Sequence, residues 1–242
     1  MIVYFSGTGN SYYVAKSLAN IGDRLIDVMV EPAQPLIDER IGIVFPCYCN
    51  DAPKELIEFL QKSEIRANYI YAIATCGASA GSSFHSIQYV LQSKGQRLAY
   101  AKSIVMPDSC VMLAFSPDVV KRLLDKQDDK INAVKKAIFA SETIRIKAKK
   151  PHGLFTRMVW SAFKNIVGIK KKKSDEELCI NCGECVKACK LNNISVSDNK
   201  ATFGDNCCNC FACINSCPTN AISFGKVKAT DEKRYKHPIY KH

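Results

Sequence analysis

Residues 1–20 read MIVYFSGTGNSYYVAKSLAN, and the order of residue types in that stretch decides the fold class. Ile2-Val3-Tyr4-Phe5 is a short apolar run of β-branched and aromatic residues, which suits a buried strand. Ser6-Gly7-Thr8-Gly9-Asn10-Ser11 is a loop of small and hydroxyl-bearing residues. Val14, Ala15, Leu18 and Ala19 then recur at helical spacing. A strand that runs through a glycine-containing loop straight into a helix opens a βα unit.

The alternation continues as far as residue 145. Further strands are expected at Leu25–Val28, Ile41–Phe45, Tyr69–Thr75 and Leu98–Val105. Helices are expected at Pro53–Gln61, Ser83–Ser93 and Pro117–Ser141, where Pro53 and Pro117 suit first turns. Strands alternating with helices imply a parallel sheet covered on both faces. The expectation for residues 1–145 is therefore α/β, a doubly wound five-stranded parallel sheet.

Residues 176–226 hold an internal repeat. The pattern C-x2-C-x2-C-x3-C occurs as Cys179, Cys182, Cys185 and Cys189, and again 28 positions later as Cys207, Cys210, Cys213 and Cys217. Asn192 and Asn220, Ile194 and Ile222, and Ser195 and Ser223 keep the register. A cubane needs four thiolates. Three closely spaced cysteines reach three corners, and the fourth has to come from elsewhere. Two zinc sites are the competing reading, but zinc needs two pairs per site and no third cysteine at the same spacing.

This repeat resembles the bacterial two-cluster ferredoxins, small α+β domains. The resemblance implies two [4Fe–4S] clusters whose ligand sets cross, because in that family the fourth cysteine of each run serves the other cluster. Cluster 1 would take Cys179, Cys182, Cys185 and Cys217. Cluster 2 would take Cys207, Cys210, Cys213 and Cys189. The family usually has proline after the fourth cysteine. Pro218 follows Cys217, but Lys190 follows Cys189. A cation there is expected to favour the reduced form of cluster 2 and raise its potential. Cys208 has no counterpart, since Ile180 occupies its place in the first copy, so register assigns Cys207 as the ligand. Between the runs, residues 194–203 suit two short strands with a turn at Asp198-Asn199.

Hydroxyls and N–H groups at a helix N-terminus form a phosphate cradle. The loop at residues 6–11 lacks both the Gly-Lys-Ser/Thr of a Walker loop and G-x-G-x-x-G. Its pattern resembles the flavodoxin phosphate loop, S/T-x-T-G-x-S/T; an ordinary βα turn is the other reading. The resemblance implies FMN held by Ser6, Gly7, Thr8, Gly9, Asn10 and Ser11. In such a sheet the ligand lies outside the carboxyl ends of the strands, at the switch point. That adds Pro46, Cys47, Tyr48, Cys49 and Asn50, and Thr75, Cys76, Gly77 and Ala78, as candidate cofactor-binding residues. Tyr48 would stack on the ring, or else be an ordinary loop tyrosine. Cys47, Cys49 and Cys76 read as small lining residues, with a redox thiol as the lesser reading. Cys110 reads as lining or core, and His85 as structural.

Residues 146–175 form a basic connector in which Phe155, Met158, Val159, Ala162, Phe163 and Ile166 recur at helical spacing. Packing between two domains is the first reading. Contact with a membrane surface through 151–173 is the second and is not favoured. Residues 227–242 are a basic tail, expected to be loose.

The whole arrangement resembles the flavodoxin–ferredoxin fusion proteins of anaerobic bacteria and archaea. It implies electron transfer between FMN and two clusters, coupling a two-electron carrier to one-electron carriers. Two alternatives remain: an FMN-dependent reductase of a small molecule fed by the ferredoxin module, and a partner-docking iron–sulfur module without flavin. No Ser/His/Asp or paired-carboxylate constellation assigns a catalytic residue.

Bulk composition agrees. Thirteen cysteines are present, and nine of them fall between Cys179 and Cys217. The chain opens with no basic stretch followed by an apolar run, and it contains no long uncharged apolar stretch. The cysteine cluster therefore reads as metal-binding rather than disulfide-bonded, with the cytoplasm as the expected compartment. The formal net charge is +11. Two clusters at about −2 each and a phosphate at about −2 would leave roughly +5. The excess then suits acidic redox partner proteins, and no nucleic-acid role is expected.

Overall fold

The first five strands are β1 (Ile2–Tyr4), β2 (Leu25–Asp27), β3 (Leu36–Pro46), β4 (Ile65–Cys76) and β5 (Tyr100–Val105). They pair in parallel in the order β2-β1-β3-β4-β5. The computed structural model describes residues 1–149, 158, 161–162 and 172–240. This strand order is that of the flavodoxin-like doubly wound sheet, whose direction reverses between β1 and β3.

Period-two alternation explains why both faces are covered. Val3, Phe5, Ile43 and Phe45 point to one face, where they meet Leu56 and Leu60 of α2 (Lys54–Lys62) and Ile87 and Leu91 of α3 (Ser83–Gln92). Ile2, Tyr4, Val44 and Ile73 point to the other. There they meet Val14 and Leu18 of α1 (Asn10–Leu18) and Ile131 and Ile138 of α5 (Gln127–Phe139). Each fully buried side chain of this kind contributes about 1.5–3 kcal/mol.

Two boundaries differ from the sequence expectation for physical reasons. β3 and β4 start earlier than their apolar runs, because Asp38 pairs with Ala67 and Arg40 with Tyr69 through backbone alone. The expected helix at 117–141 breaks at Lys126 (φ −102°, ψ 1°) into α4 (Pro117–Asp125) and α5. α4 contributes no buried residue.

The second unit comprises β6 (Lys172–Ser174), α6 (Glu184–Ala188), β7 (Ile194–Ser197), β8 (Lys200–Phe203), α7 (Ala212–Ser216), β9 (Ile222–Phe224) and β10 (Val227–Lys228). β7 and β8 form an antiparallel hairpin. Its turn residues, Asp198 and Asn199, both have positive φ (47° and 56°), as a tight type I′ turn requires. β9 lies between β10 and β6.

The repeat is visible in the backbone itself. Asn181, Gly183 and Asn192 have φ of 55°, 73° and 50°; their counterparts 28 positions on, Asn209, Phe211 and Asn220, have 57°, 59° and 55°. Phe211 thus occupies a left-handed position that the first copy fills with glycine. Its ring packs on Phe224 in a core that also takes in Ile214, Ile222, and Cys110 and Val111 from the loop after β5. The second unit is therefore docked onto the carboxyl end of the large sheet.

The tail is not loose. Tyr235, His237 and Tyr240 are 7%, 2% and 6% exposed, because these bulky side chains find seats on the first unit despite the basic composition around them. Of the expected connector, Met158 and Ala162 are helical and exposed. Phe155, Val159, Phe163 and Ile166 lie outside the described residues. Among the described residues no helix is long and apolar enough to cross a membrane.

Candidate cofactor cavities

A cavity of about 120 Å³ opens at the carboxyl ends of β1, β3, β4 and β5. Twelve expected residues line it: Ser6, Gly7, Thr8, Asn10, Ser11, Pro46, Cys47, Tyr48, Cys49, Thr75, Cys76 and Gly77. Pro107, Asp108, Ser109, Cys110 and Leu113 of the loop after β5 join them, as do Asn209 and Phe211 of the second unit.

The loop at 6–11 is tightly built. The hydroxyls of Ser6, Thr8 and Ser11 belong to buried residues. Ser6 Oγ accepts the Gly9 N–H (3.2 Å), Ser11 and Thr75 share a hydroxyl hydrogen bond (2.8 Å), and Asn10 Nδ2 donates to the Pro107 carbonyl (2.8 Å). Among the described residues, the N–H groups of Gly7, Thr8, Asn10 and Ser11 have no protein acceptor. Free N–H groups and hydroxyls at the start of α1 suit a phosphate, without help from any lysine or arginine among the lining residues. This donor set fits the phosphoryl end of a flavin nucleotide.

The remaining walls are mostly neutral. Cys47 and Cys76 sit side by side, since the Cys47 N–H donates to the Thr75 carbonyl (2.9 Å) at the ends of adjacent strands. Burial pushes the thiol of Cys76 up to about 11 and raises those of Cys47 and Cys110 as well. All three are thus kept as thiols. Burial also raises the Asp108 carboxyl, whose Oδ1 accepts the Cys110 N–H (2.8 Å). The Tyr48 ring stands edge-on against Phe5 (5.7 Å, 88°), so it enters the cavity already fixed.

Three expected lining residues lie elsewhere. Gly9 turns away with φ 105° beneath His237 and Tyr240. The Asn50 carbonyl accepts the Ser82 N–H and hydroxyl (2.8 and 2.9 Å), which holds that residue outside the cavity. Ala78 is exposed. Strand-end position locates the loops, and local backbone turns take these three residues out of the lining.

Two smaller cavities gather the cysteines. One, of about 20 Å³, is lined by Cys179, Cys182, Cys185 and Cys217 with Val196, Ala201 and Ile222. The other, also about 20 Å³, is lined by Cys207, Cys210, Cys213 and Cys189 with Ile194, Phe203 and Phe211. Each cavity draws its fourth cysteine from the other run. The sulfurs of Cys189 and Cys217 accept equivalent backbone N–H groups, from Asn193 (3.4 Å) and Ala221 (3.3 Å). At least four thiols in each cavity, mostly apolar walls and N–H···S hydrogen bonds fit iron–sulfur clusters. Cys208 also lines the second cavity, and its hydrogen bond pulls the Cys210 thiol down against the effect of burial.

The first cavity and the Cys207 cavity are neighbours. Phe211 lines both. A Cβ on Gly7 would come within 2.6 Å of the Cys210 Cβ, so the phosphate-type loop and the cysteine loop touch directly. The Cys179 cavity lies on the outer side, where Cys182 is exposed.

Two lysines hold this junction. Lys190 reaches across to an ion pair with Asp27, in which the side chains are 18% and 11% exposed. It also donates to the Ser6 carbonyl (3.4 Å) and lies over the rings of Tyr240 and Tyr4. Lys190 therefore clamps the two units together while still lining the Cys207 cavity, where its charge, like that of Lys172, helps to lower the Cys210 thiol. Lys172, from β6, sits there too: its Nζ donates to Cys207 Sγ (3.1 Å) and Asn209 Oδ1 (2.9 Å) and lies 5.8 Å from the Phe211 ring centre. The sequence hid Lys172 within a basic run.

Comparison with known proteins gives the following. A putative flavoprotein from Bacteroides uniformis ATCC 8492 is similar at 17% identity, over 52% of this chain and 97% of that one, with a TM-score of 0.36. Rubredoxin oxygen:oxidoreductase from the anaerobe Desulfovibrio gigas is similar at 14% identity, over 58% of this chain and 36% of that one, with a TM-score of 0.36. No curated protein sequence matches the chain. Residues 173–195, which carry Cys179, Cys182, Cys185 and Cys189, match the family described as the 4Fe-4S binding domain, which supports an iron–sulfur site of ferredoxin type in that segment.

Proposed function

We propose that this chain is a single-polypeptide electron conduit in which FMN, an inner [4Fe–4S] cluster on Cys207, Cys210, Cys213 and Cys189, and an outer one on Cys179, Cys182, Cys185 and Cys217 stand in a row. The observation that carries this order is Phe211, one side chain lining both the large cavity and the inner cysteine cavity. When bound, FMN supplies exchange between electron pairs and single electrons, and each cluster passes one at a time.

The protein's own groups do the rest. The N–H groups of the loop at 6–11 hold the phosphate. The thiols of Cys47, Cys76 and Cys110, kept protonated by burial, give the ring a neutral wall. Asn209 and Phe211 close the cavity on the side of the second unit. Lys172 places a positive donor on Cys207 Sγ. Cys182 is the exposed ligand of the outer set, and exposed Leu178, Ile180 and Val186 form an apolar rim beside it. A redox protein docks there, and the chain's residual positive charge favours an acidic one. The closure by Asn209 and Phe211 favours the conduit over a small-molecule reductase.

Anaerobic purification followed by flavin and iron analysis tests this reading. It expects about one FMN and about eight irons per chain. Absence of flavin, or about four irons, overturns it.

A further inference from the structure

The C-terminal segment touches the phosphate-type loop at every second residue. The Tyr240 hydroxyl donates to the Ser6 carbonyl (3.1 Å), the His237 N–H to the Thr8 carbonyl (2.8 Å), and the Tyr235 hydroxyl to Asn10 Oδ1 (2.7 Å). Two ring contacts reinforce them: His237 stacks on Tyr13 (4.3 Å, 21°), and Tyr240 lies against Tyr12 (5.6 Å). The fit is close enough that a Cβ on Gly9 would fall 2.4 Å from Tyr240 Cβ and 2.8 Å from His237 Cβ.

The segment is itself anchored to the iron–sulfur unit. The Tyr235 N–H donates to Asn215 Oδ1 (2.7 Å), and Arg234 Nη1 donates to the Cys217 carbonyl (2.7 Å). Lys190 lies 5.1 Å from the Tyr240 ring centre. His237 is only 2% exposed, so it is a seated side chain and not a surface one.

We infer that Tyr235, His237 and Tyr240 are positioning residues for phosphate binding, and that they make the flavin site depend on the docked iron–sulfur unit. Along the loop the carbonyls of Ser6 and Thr8 are taken by the tail on one side. The N–H groups of Gly7, Thr8, Asn10 and Ser11 have no protein acceptor among the described residues, and these same residues line the cavity on the other side. Pinning the carbonyls outward aims the N–H groups inward. A loop rich in glycine and small residues would otherwise sample many conformations, and it would have to be ordered when the phosphate arrives. The tail orders it beforehand.

This inference rests on the FMN reading, and the test separates the two. Tyr235→Phe, Tyr240→Phe and the double variant remove only hydroxyl groups, so folding and iron content are retained. Affinity for FMN and for riboflavin, which lacks the phosphate, is measured on the full chain by flavin fluorescence quenching. Removing the two hydroxyl hydrogen bonds is expected to cost at least about tenfold in FMN affinity in the double variant. Riboflavin affinity is expected to stay within about twofold, and inorganic phosphate to compete more weakly with FMN. Equal losses for both flavins, or no loss for either, overturn the inference while leaving the flavin site standing. Failure of the unaltered chain to bind either flavin overturns the FMN reading and this inference with it.

Discussion

Phe211 and Gly183 occupy equivalent positions in the two halves of the cysteine repeat, and both have left-handed backbones (φ 59° and 73°). Glycine adopts that conformation freely, whereas a side-chain-bearing residue pays about 1–2 kcal/mol. The second copy bears that cost to place an aromatic ring between two cavities. Substituting Phe211→Gly relieves the backbone and removes the ring. Loss of a buried phenyl group costs about 3–5 kcal/mol. A net destabilisation of about 2 kcal/mol is expected, or about 4–8 °C in apparent Tm at this chain length. The larger effect falls on electron transfer. In stopped-flow reduction the flavin-to-cluster step slows, while flavin and iron contents per chain stay unchanged.

The Asp27–Lys190 pair is a second point of dependence between the units. Removing one partner of a buried pair leaves an uncompensated charge, at a cost of about 3–5 kcal/mol. Asp27→Asn alone is therefore expected to lower the apparent Tm sharply and to loosen the docked unit, seen as faster proteolysis. The double variant Asp27→Asn, Lys190→Met leaves no orphan charge and recovers at least half of the loss. A double variant no better than the single one contradicts the clamp.

Lys172 donates to Cys207 Sγ, so its charge and hydrogen bond favour the more negative, reduced state of whatever that sulfur ligates. Lys172→Met is expected to lower the potential of one cluster and leave the other in place. Voltammetry of the anaerobic protein reads this directly. Lys190→Met makes a useful contrast: its charge is already paired with Asp27, so its loss is expected to shift that potential less than the loss of Lys172 and to lower stability more.

Asp108 illustrates a cost placed at the site. Its folded pKa is raised by burial above the ordinary value of 3.8, so above that value the folded protein binds more protons than the unfolded one. Stability due to this group is complete below 3.8 and is lost as pH rises through the folded pKa. Asp108→Asn keeps an oxygen acceptor for the Cys110 N–H and removes the charge. Thermal melts across a pH series are expected to favour the variant at neutral pH, with the advantage fading toward acid. An advantage that grows toward acid contradicts the assignment.

How far the sequence carried differs by element. Ile2–Phe5 running into Ser6–Ser11 marked the βα unit because a buried strand leading into a helix is a local pattern; the 28-residue register showed two equivalent cysteine runs, while the exchange of Cys189 and Cys217 between cavities came from the ferredoxin resemblance and not from spacing. Lys190 was legible as irregular, but its pairing with Asp27 was not, since the partners are 163 positions apart. The tail was misjudged for the same reason: Tyr235 meets Asn10 across 225 positions, and composition alone registered only its lysines. Its aromatic spacing, Tyr235, His237 and Tyr240, was the available signal. Phe211 is a residue whose role contradicts its local preference, and such conflicts concentrate where a fold serves chemistry.

The central claim is that the flavin and the inner cluster are neighbours within one chain, with Phe211 between them. Flash reduction of the flavin in the anaerobic holoprotein, followed optically at the cluster bands, tests it most directly. The account predicts a first-order transfer whose rate stays constant on tenfold dilution of the protein. A rate that falls in proportion to protein concentration, which marks transfer between molecules, would contradict it.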